Sequence, residues 1–186
     1  MKKIVLSISL ILMIVSAAFS QTVISSSGNS RENFSNEVKV NFLNLIALAS
    51  IEVGYEKFLS ENHSLDIQLH INDRFGFNSQ GGEKNYKTNS LQVSVNFYLG
   101  DDEEGRFYIY PLAKLRFGDF EEGRGEDVVI TNMNAFILGA GMGYKWEFSN
   151  FAFGPFAAVA RGFSSEVSDR FAAVEFNGGF SLGYRF

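Results

Sequence analysis

The segment NSLQVSVNFYL, residues 89–99, alternates apolar and polar side chains along its whole length. Successive side chains of a β-strand point to opposite faces of the sheet, so a period of two predicts a strand with one apolar face. The apolar face comprises Leu91, Val93, Val95, Phe97 and Leu99. The polar face carries Gln92, Ser94 and Asn96, unlike the Lys- and Glu-rich mixture expected of a water-facing surface. The segment therefore predicts a strand whose apolar face meets something other than water.

The same period recurs along the rest of the chain after residue 36. The predicted strands are residues 37–45, 50–58, 64–74, 89–99, 106–117, 132–146, 151–162 and 172–186. Short links at 59–63, 100–105 and 147–150 alternate with longer ones at 75–88, 118–131 and 163–171, and only the first link, around 46–49, is short and apolar. Short turns at one rim and long loops at the other are typical of membrane-spanning up-and-down barrels. We therefore predict an all-β fold, an eight-stranded antiparallel transmembrane β-barrel.

The composition supports this fold and excludes several classes of protein. The 186 residues include 20 Phe, 7 Tyr and 18 Gly, yet mean hydropathy is +0.00, as expected when only alternate residues face lipid. The chain has no cysteine, which excludes disulfides and thiolate metal sites. Its net charge of −5 argues against nucleic-acid binding.

The first residues have the pattern of a secretory signal peptide. Lys2 and Lys3 precede an apolar run at 4–15, and Ala18-Phe19-Ser20 offers a cleavage site. The alternative is a retained membrane helix, but a run of about a dozen residues is shorter than the ~20 that cross a bilayer. We predict a signal peptide at 1–20, a flexible N-terminal segment at 21–36 and the barrel at 37–186.

The last seven residues, FSLGYRF at 180–186, place Phe180, Leu182, Tyr184 and Phe186 at alternate positions. This ending resembles the C-terminal β-signal of outer-membrane proteins. With the strand count, the chain is similar over 37–186 to the small outer membrane protein β-barrel domain family, which has the architecture of the OmpA membrane domain and OmpX. The resemblance implies a location in the cell outer membrane, contact with its lipid and insertion by the barrel-assembly machinery. It specifies architecture rather than activity.

An eight-stranded barrel has an interior just wide enough to be filled by side chains. The alternation predicts a structural polar network in this lumen, formed by Lys39, Glu52, Glu56, Asp66, His70, Arg74, Lys114, Arg116, Lys145, Glu175 and Arg185. Both signs of charge are present, so we expect internal salt bridges, because buried charges must be paired. A plugged core is the interpretation we prefer, and an ion path is the alternative.

Two further expectations concern glycines and aromatic residues. We expect inward glycines to make room for long Tyr, Lys and Arg side chains from the fourth and fifth strands; these are Gly139, Gly141, Gly143, Gly154, Gly179 and Gly183. Aromatic residues beside the short turns suit an interfacial girdle; these are Phe58, Phe97, Phe107, Tyr144, Trp146, Phe151 and Tyr184. Pro111 and Pro155 fall inside strands, where we expect bulges or breaks that shift the alternation.

For function, we expect a non-enzymatic outer-membrane protein with no cofactor, metal or catalytic residue, serving envelope structure or adhesion. Its loops at 75–88, 118–131 and 163–171 would meet an extracellular ligand or surface partner. One alternative is a soluble, lipocalin-like barrel that binds a small hydrophobic ligand. Another is an enzyme that modifies lipid A, for which His70 is the only plausible base, although the His-x-Ser spacing of the deacylases is absent.

Overall fold

The computed structural model describes residues 34–48, 50–73, 83–100, 105–123 and 128–186. The predicted signal peptide, and the predicted flexible segment as far as residue 33, lie outside these ranges. The strands are β1 Asn36–Asn41, β2 Ile51–Ser60, β3 His63–Ile71, β4 Lys84–Leu99, β5 Gly105–Glu122, β6 Val129–Asn132, β7 Ala135–Phe148, β8 Phe151–Phe163 and β9 Val174–Arg185. The helices are α1 Phe42–Leu48 and α2 Ser165–Arg170. No helix in the described part of the chain is long and apolar enough to cross a bilayer.

Eight of the strands form a closed wall. Each pairs antiparallel with its neighbour along the chain, β4 pairs with β5, and β9 returns to β1 with Val40 opposite Leu182. The ninth strand, β6, continues the line of β7 and pairs only with β5. The fold is therefore the predicted eight-stranded antiparallel β-barrel, and closure leaves its wall without a free edge.

The two ends of the barrel differ. At one, which we call the turn end, short connections at 61–62, 100–104 and 149–150 join the strands. At the other, the loop end, connections are longer, and β4 and β5 continue past the level of their neighbours as a hairpin. The asymmetry follows the predicted alternation of short and long links.

The wall places apolar side chains outside and polar side chains inside. Leu91 is 42% exposed, whereas its neighbour Gln92 is buried, and Glu56 and His70 are completely inaccessible. A soluble barrel has the opposite arrangement, with its charges in water. The lipocalin-like alternative is therefore wrong, and the outer surface suits hydrocarbon.

The first predicted strand is too long. It ends at Asn41, and the segment FLNLIAL forms α1 instead of continuing the strand into a short loop. The Asn41 side chain accepts a hydrogen bond from the backbone N–H of Asn44 at 3.2 Å, a typical cap of a helix N-terminus. Because Phe42 and Leu43 are adjacent and both apolar, the period of two had already ended at this point.

The predicted loops at 75–88 and 118–131 are partly strand. Lys84 to Thr88 pair with Gly118 to Glu122, five residues further than predicted on each strand. Tyr86 and Phe120 pack inside this hairpin with ring centroids 4.8 Å apart, and Phe120 also contacts Phe171, which follows α2, at 5.5 Å. Packing of these aromatic side chains thus stabilises strand pairing beyond the predicted strands. The resulting hydrophobic cluster lies at the loop end.

Neither proline produces the predicted bulge or shift. Pro111 stays in register with Ala140 on β7, and Pro155 stays in register with Phe180 on β9. Each proline points outward, and the ladder opens only on its other side, towards β4 for Pro111 and towards β7 for Pro155. A proline removes a single N–H donor. One missing donor opens one side of the ladder locally without displacing the strand.

Candidate functional site

The lumen holds two separate ion-pair clusters. The turn-end cluster centres on Glu56, which is fully buried and reaches Lys39 Nζ at 2.9 Å and Lys145 Nζ at 2.8 Å. Lys39 also pairs with Asp66 at 2.8 Å, and Lys145 with Glu37 at 3.0 Å. Three carboxylates thus share two ammonium groups, in a setting where unpaired charges would be very costly.

Neutral donors complete the coordination of Glu56. Its Oε1 accepts a hydrogen bond from Asn96 Nδ2 at 2.8 Å and closely contacts the hydroxyls of Ser64 and Tyr98. These donors come from β3 and β4. Because Lys39 lies on β1 and Lys145 on β7, the Glu56 carboxylate on β2 connects strands on both of its sides.

The loop-end cluster centres on Asp73. Its Oδ2 lies 3.0 Å from both Lys114 Nζ and Arg116 Nε and accepts a hydrogen bond from Ser90 at 2.5 Å. Arg116 Nη2 also reaches Glu175 at 2.7 Å. The pairs link β5 to β9 across the barrel and to the segment after β3. Both ends of the lumen are thus crossed by salt bridges.

Aromatic rings fill the space beside the turn-end cluster. Tyr98, Tyr108 and Tyr110 stand in a row, with centroids 5.4 and 5.8 Å apart. The Arg106 guanidinium lies over the Tyr98 ring at 4.2 Å. Below it, Arg106 and Arg185 both pair with Glu147, at 2.7 and 3.1 Å. This lower group lies at the turn end of the lumen.

A cavity of about 40 Å³ lies between the clusters, bordered by Gln68, Gln92, Tyr110 and Glu52 among others. Such a volume has room for only a few water molecules. Asn41 and Asn44 donate hydrogen bonds to Glu52, each at 2.8 Å, and Asn41 and Glu52 both line the cavity. The space is polar, small and bounded on both sides by ion pairs.

The structure places ten of the eleven predicted lumen residues on the inner face, and the eleventh, Arg74, lies outside the described residues. His70 lies apart from the salt bridges: its Nδ1 is 3.7 Å from Glu52, and neither ring nitrogen has a hydrogen-bond partner among the described residues. Of the predicted assembly residues, Leu182, Tyr184 and Phe186 are exposed on the outer wall, and Phe180 packs against Phe153 at 6.0 Å.

Sequence reasoning missed Glu37, Asp73, Arg106 and Glu147. The alternation already placed Glu37 and Arg106 on inner positions, so that signal was available, whereas Glu147 fell in the predicted link at 147–150 and the strand extends to Phe148. Asp73 was hidden because Asn72 adopts a left-handed conformation with φ of 59°, which ends the period of two and turns Asp73 inward. Phe58 was misassigned to the girdle: it lies inside, with its ring 6.0 Å from that of Tyr98.

The inward glycines on β7 leave space for tyrosines. A Cβ on Gly143 would lie 2.5 Å from the Tyr108 hydroxyl and the carbon that bears it, and a Cβ on Gly141 would overlap the Tyr110 ring in the same way. These two contacts confirm the expected role of glycine opposite the fifth strand. Without them, the tyrosine row could not lie flat against β7.

The other inward glycines serve different neighbours. Gly179 and Gly183 make room for side chains of the first strand, Asn41 and Glu37. The remaining two face backbone: Gly139 lies against Val159 and Ala160, and Gly154 lies against the Tyr144 carbonyl. For these four the expected partners on strands four and five were wrong. The close approach at Gly154 falls where the ladder opens beside Pro155.

Comparison with known proteins gives likenesses of fold. No protein-family profile and no curated protein sequence matches the chain. Among solved structures, the N-terminal barrel domain of Pseudomonas aeruginosa OprF is similar with a TM-score of 0.47 and 14% identity, covering 81% of this chain and 95% of that one. Neisserial surface protein A gives 0.49 and 11%, covering 81% and 91%. Ail, the attachment invasion locus protein of Yersinia pestis, gives 0.41 and 13%, covering 81% and 93%.

The assignment itself rests on the wall. Its strands close with β1 against β9, its outer face is apolar, and its lumen contains paired charges. Those features together are what a barrel in lipid requires. The chain is an eight-stranded antiparallel β-barrel of the outer-membrane type.

Proposed function

We propose that the chain is a non-enzymatic integral protein of the outer membrane, exported by residues 1–20, with a sealed lumen and an extracellular loop end. The observation that carries the proposal is the pair of salt-bridge clusters across the lumen. Between Glu56 at one level and Asp73 at the other lies a cavity of about 40 Å³. An ion would have to break buried pairs at both levels to pass.

A conductance measurement tests the sealed lumen. The full chain, refolded into planar bilayers, is expected to give no steady single-channel current. A matched variant with Lys114→Ser and Arg116→Ser removes both cations of the loop-end cluster, and it should also give no steady current because the turn-end cluster still crosses the lumen. Steady current through the unchanged protein would contradict the plug and favour the ion-path alternative.

Membrane location has its own test. The chain expressed in a Gram-negative host should fractionate with the outer membrane and migrate faster in detergent gels before boiling than after it. Unboiled and boiled samples that migrate alike, with the protein in the soluble fraction, would reject the proposal. This test is independent of conductance, because a barrel can insert whether or not its lumen is open.

We further propose that the loop end meets surface partners through loops at 75–88, 118–131 and 163–171 while the wall serves as an anchor. In support, the β4–β5 hairpin projects past its neighbours, and α2 lies against β6 and β8 with Val167 buried in the same hydrophobic cluster as Phe120. Arg170 of α2 pairs with Glu122 of the hairpin at 3.1 Å. A rigid platform of this kind suits recognition at a surface.

The absence of catalysis is also a proposal. His70 is the base that a lipid-modifying enzyme would need, and its position inside the wall, 3.7 Å from Glu52, puts it far from any lipid ester outside. Ser90, opposite it on β4, donates to Asp73 instead. A His70→Ala variant should leave the lipid A profile of the host unchanged, and an altered profile would revive the enzyme hypothesis.

A further inference from the structure

The connection between β1 and β2 differs from the other loop-end connections in having no charged residue. From Val40 to Ile51 the sequence reads VNFLNLIALASI, whereas the segments 75–88, 118–131 and 163–171 each carry at least three charged side chains. A protein surface that faces water normally carries many charged groups. The composition of this connection therefore indicates apolar surroundings.

The helix α1 takes a place in the wall that a strand would otherwise fill. β1 pairs with β9 only as far as Asn41 opposite Ser181, while β9 runs on to Val174 at the loop end. Beyond Asn41 the chain forms α1, which lies against both β9 and β2. The backbone N–H of Phe180 donates to Asn41 Oδ1 at 3.3 Å where the strand gives way to the helix. The helix therefore continues the wall between the lumen and the outside of the barrel.

The polar side of α1 faces the lumen. Asn44, the only polar residue in FLNLIAL, is buried and donates hydrogen bonds to Glu52 at 2.8 Å and to Asn177 at 3.3 Å. Both acceptors line the lumen cavity. Because successive residues of a helix are turned by about 100°, Phe42 and Ile46 lie opposite Asn44, and they are 50% and 68% exposed. The apolar side of α1 thus points away from the lumen.

This apolar side is continuous with the apolar outer face of the strands, which we call the belt. Val40, just before α1, is outward and pairs with Leu182. Ile51, the first residue of β2, is outward and pairs with Ile71. A helix of seven residues is only about 10 Å long, so the whole of α1 stays close to these side chains. The helix therefore lies at the loop-end edge of the belt.

We propose that α1 is an interfacial helix whose apolar side is buried in the loop-end leaflet of the membrane, between the lipid headgroups and the adjoining part of the acyl chains. Amphipathic helices at this boundary bury their apolar face about 5–10 Å deep. The lipid that surrounds the belt is already adjacent to this side of α1, so no other occupant is needed to cover it. Its exposed apolar side chains are Phe42, Leu43, Leu45 and Ile46.

Tryptophan fluorescence in vesicles tests the position of α1, which rests on the proposed membrane location. Trp146→Phe removes the single tryptophan, and Ile46→Trp then reports on α1 in the full chain refolded into phosphatidylcholine vesicles. Bromine atoms on acyl-chain carbons near the headgroup should quench this tryptophan about two-fold, as expected for a side chain at that depth. Iodide present on both sides of the bilayer should leave its fluorescence nearly unchanged.

Two variants in the same Trp146→Phe background serve as controls. Ile67→Trp, outward on β3 within the belt, should be quenched by bromine and not by iodide. Asn85→Trp, exposed on the hairpin, should be quenched by iodide and not by bromine. Gel migration before and after boiling reports insertion of each variant.

Three outcomes would overturn the proposal. Iodide quenching of Ile46→Trp as strong as that of Asn85→Trp would place α1 in water. Quenching by neither agent would mean that protein, such as a second copy of the chain, covers the helix. Loss of bromine quenching in Ile67→Trp as well would reject the membrane location itself, so a failure of α1 alone is distinct from a failure of the barrel.

Discussion

Glu56 is fully buried and binds two ammonium groups and three neutral hydrogen-bond donors. Replacing it with leucine leaves Lys39 and Lys145 with one carboxylate each, Asp66 and Glu37, and leaves the donors of Asn96 and Tyr98 without their acceptor. We expect the free energy of unfolding to fall by about 3 kcal/mol, the scale for breaking a buried pair. Urea titration in lipid vesicles, followed by the fluorescence of the single tryptophan, Trp146, measures it.

The control for Glu56→Leu is Glu121→Gln, at an exposed pair on the hairpin. Exposed pairs contribute little to stability, so this variant should unfold nearly as the unchanged protein does. If the two variants lose the same stability, the turn-end cluster has no special energetic role.

Glu121 provides a pH-dependent test outside the membrane-spanning part of the wall. Hydrogen bonds from Lys87 first, and from Asn85 to a lesser extent, hold the pKa of the Glu121 carboxyl below its usual value. Because the folded-state pKa is lowered, the associated stability is present above the ordinary carboxyl pKa and is lost as the pH falls through the folded value. Carbon-13 NMR titration of Glu121 should show the pKa rising towards the ordinary value in Lys87→Ala. A smaller rise is expected in Asn85→Ala.

At the scale of elements, β5 and β7 pack closely because tyrosines on β5 lie against glycines on β7. A Gly143→Ala variant forces a methyl group against the Tyr108 ring, and overpacking of this kind costs about 1–3 kcal/mol. Adding Tyr108→Leu should recover most of the loss, and the double-mutant cycle measures the coupling. Ala140→Gly, on the outer face of the same strand, tests a change of similar size without that contact. If the two substitutions change the free energy of unfolding additively, Gly143 and Tyr108 are not coupled and the proposed packing is wrong.

The alternation in the sequence predicted the strand order and the face of each side chain, because every residue of a closed wall faces either lipid or lumen. The prediction failed where local hydrogen bonds, backbone conformation or aromatic packing determine the structure. The cap of Asn41 on α1, the left-handed Asn72 and the aromatic packing of Tyr86 on Phe120 are local features that a period of two does not register. The alternation also could not predict which charged side chains pair across the lumen. Alternation gives a face, whereas the distance from Glu56 to Lys145 depends on how the whole wall closes.

At the scale of the whole molecule, the height of the barrel in the membrane can be measured by moving one charge along β5. Ala113 lies outward near the middle of the belt, and Phe117 lies outward near its loop-end edge. Arginine on the lipid face costs about 2–4 kcal/mol at the midplane and about 0–1 near an interface. We therefore expect Ala113→Arg to lower the free energy of unfolding in vesicles much more than Phe117→Arg. The opposite order would mean that the belt is displaced along the barrel.

The pairing of β1 with β9 joins Glu37 to Arg185, residues from opposite ends of the described chain. Contacts so distant in sequence form late, because the intervening chain must first be brought into place. During synthesis and transport, the first strand consequently has no lasting partner until the last one is delivered. On the export route that we propose, the polypeptide crosses an aqueous compartment before its barrel closes, and we expect it to need a carrier that keeps β1 and β9 from pairing with other chains.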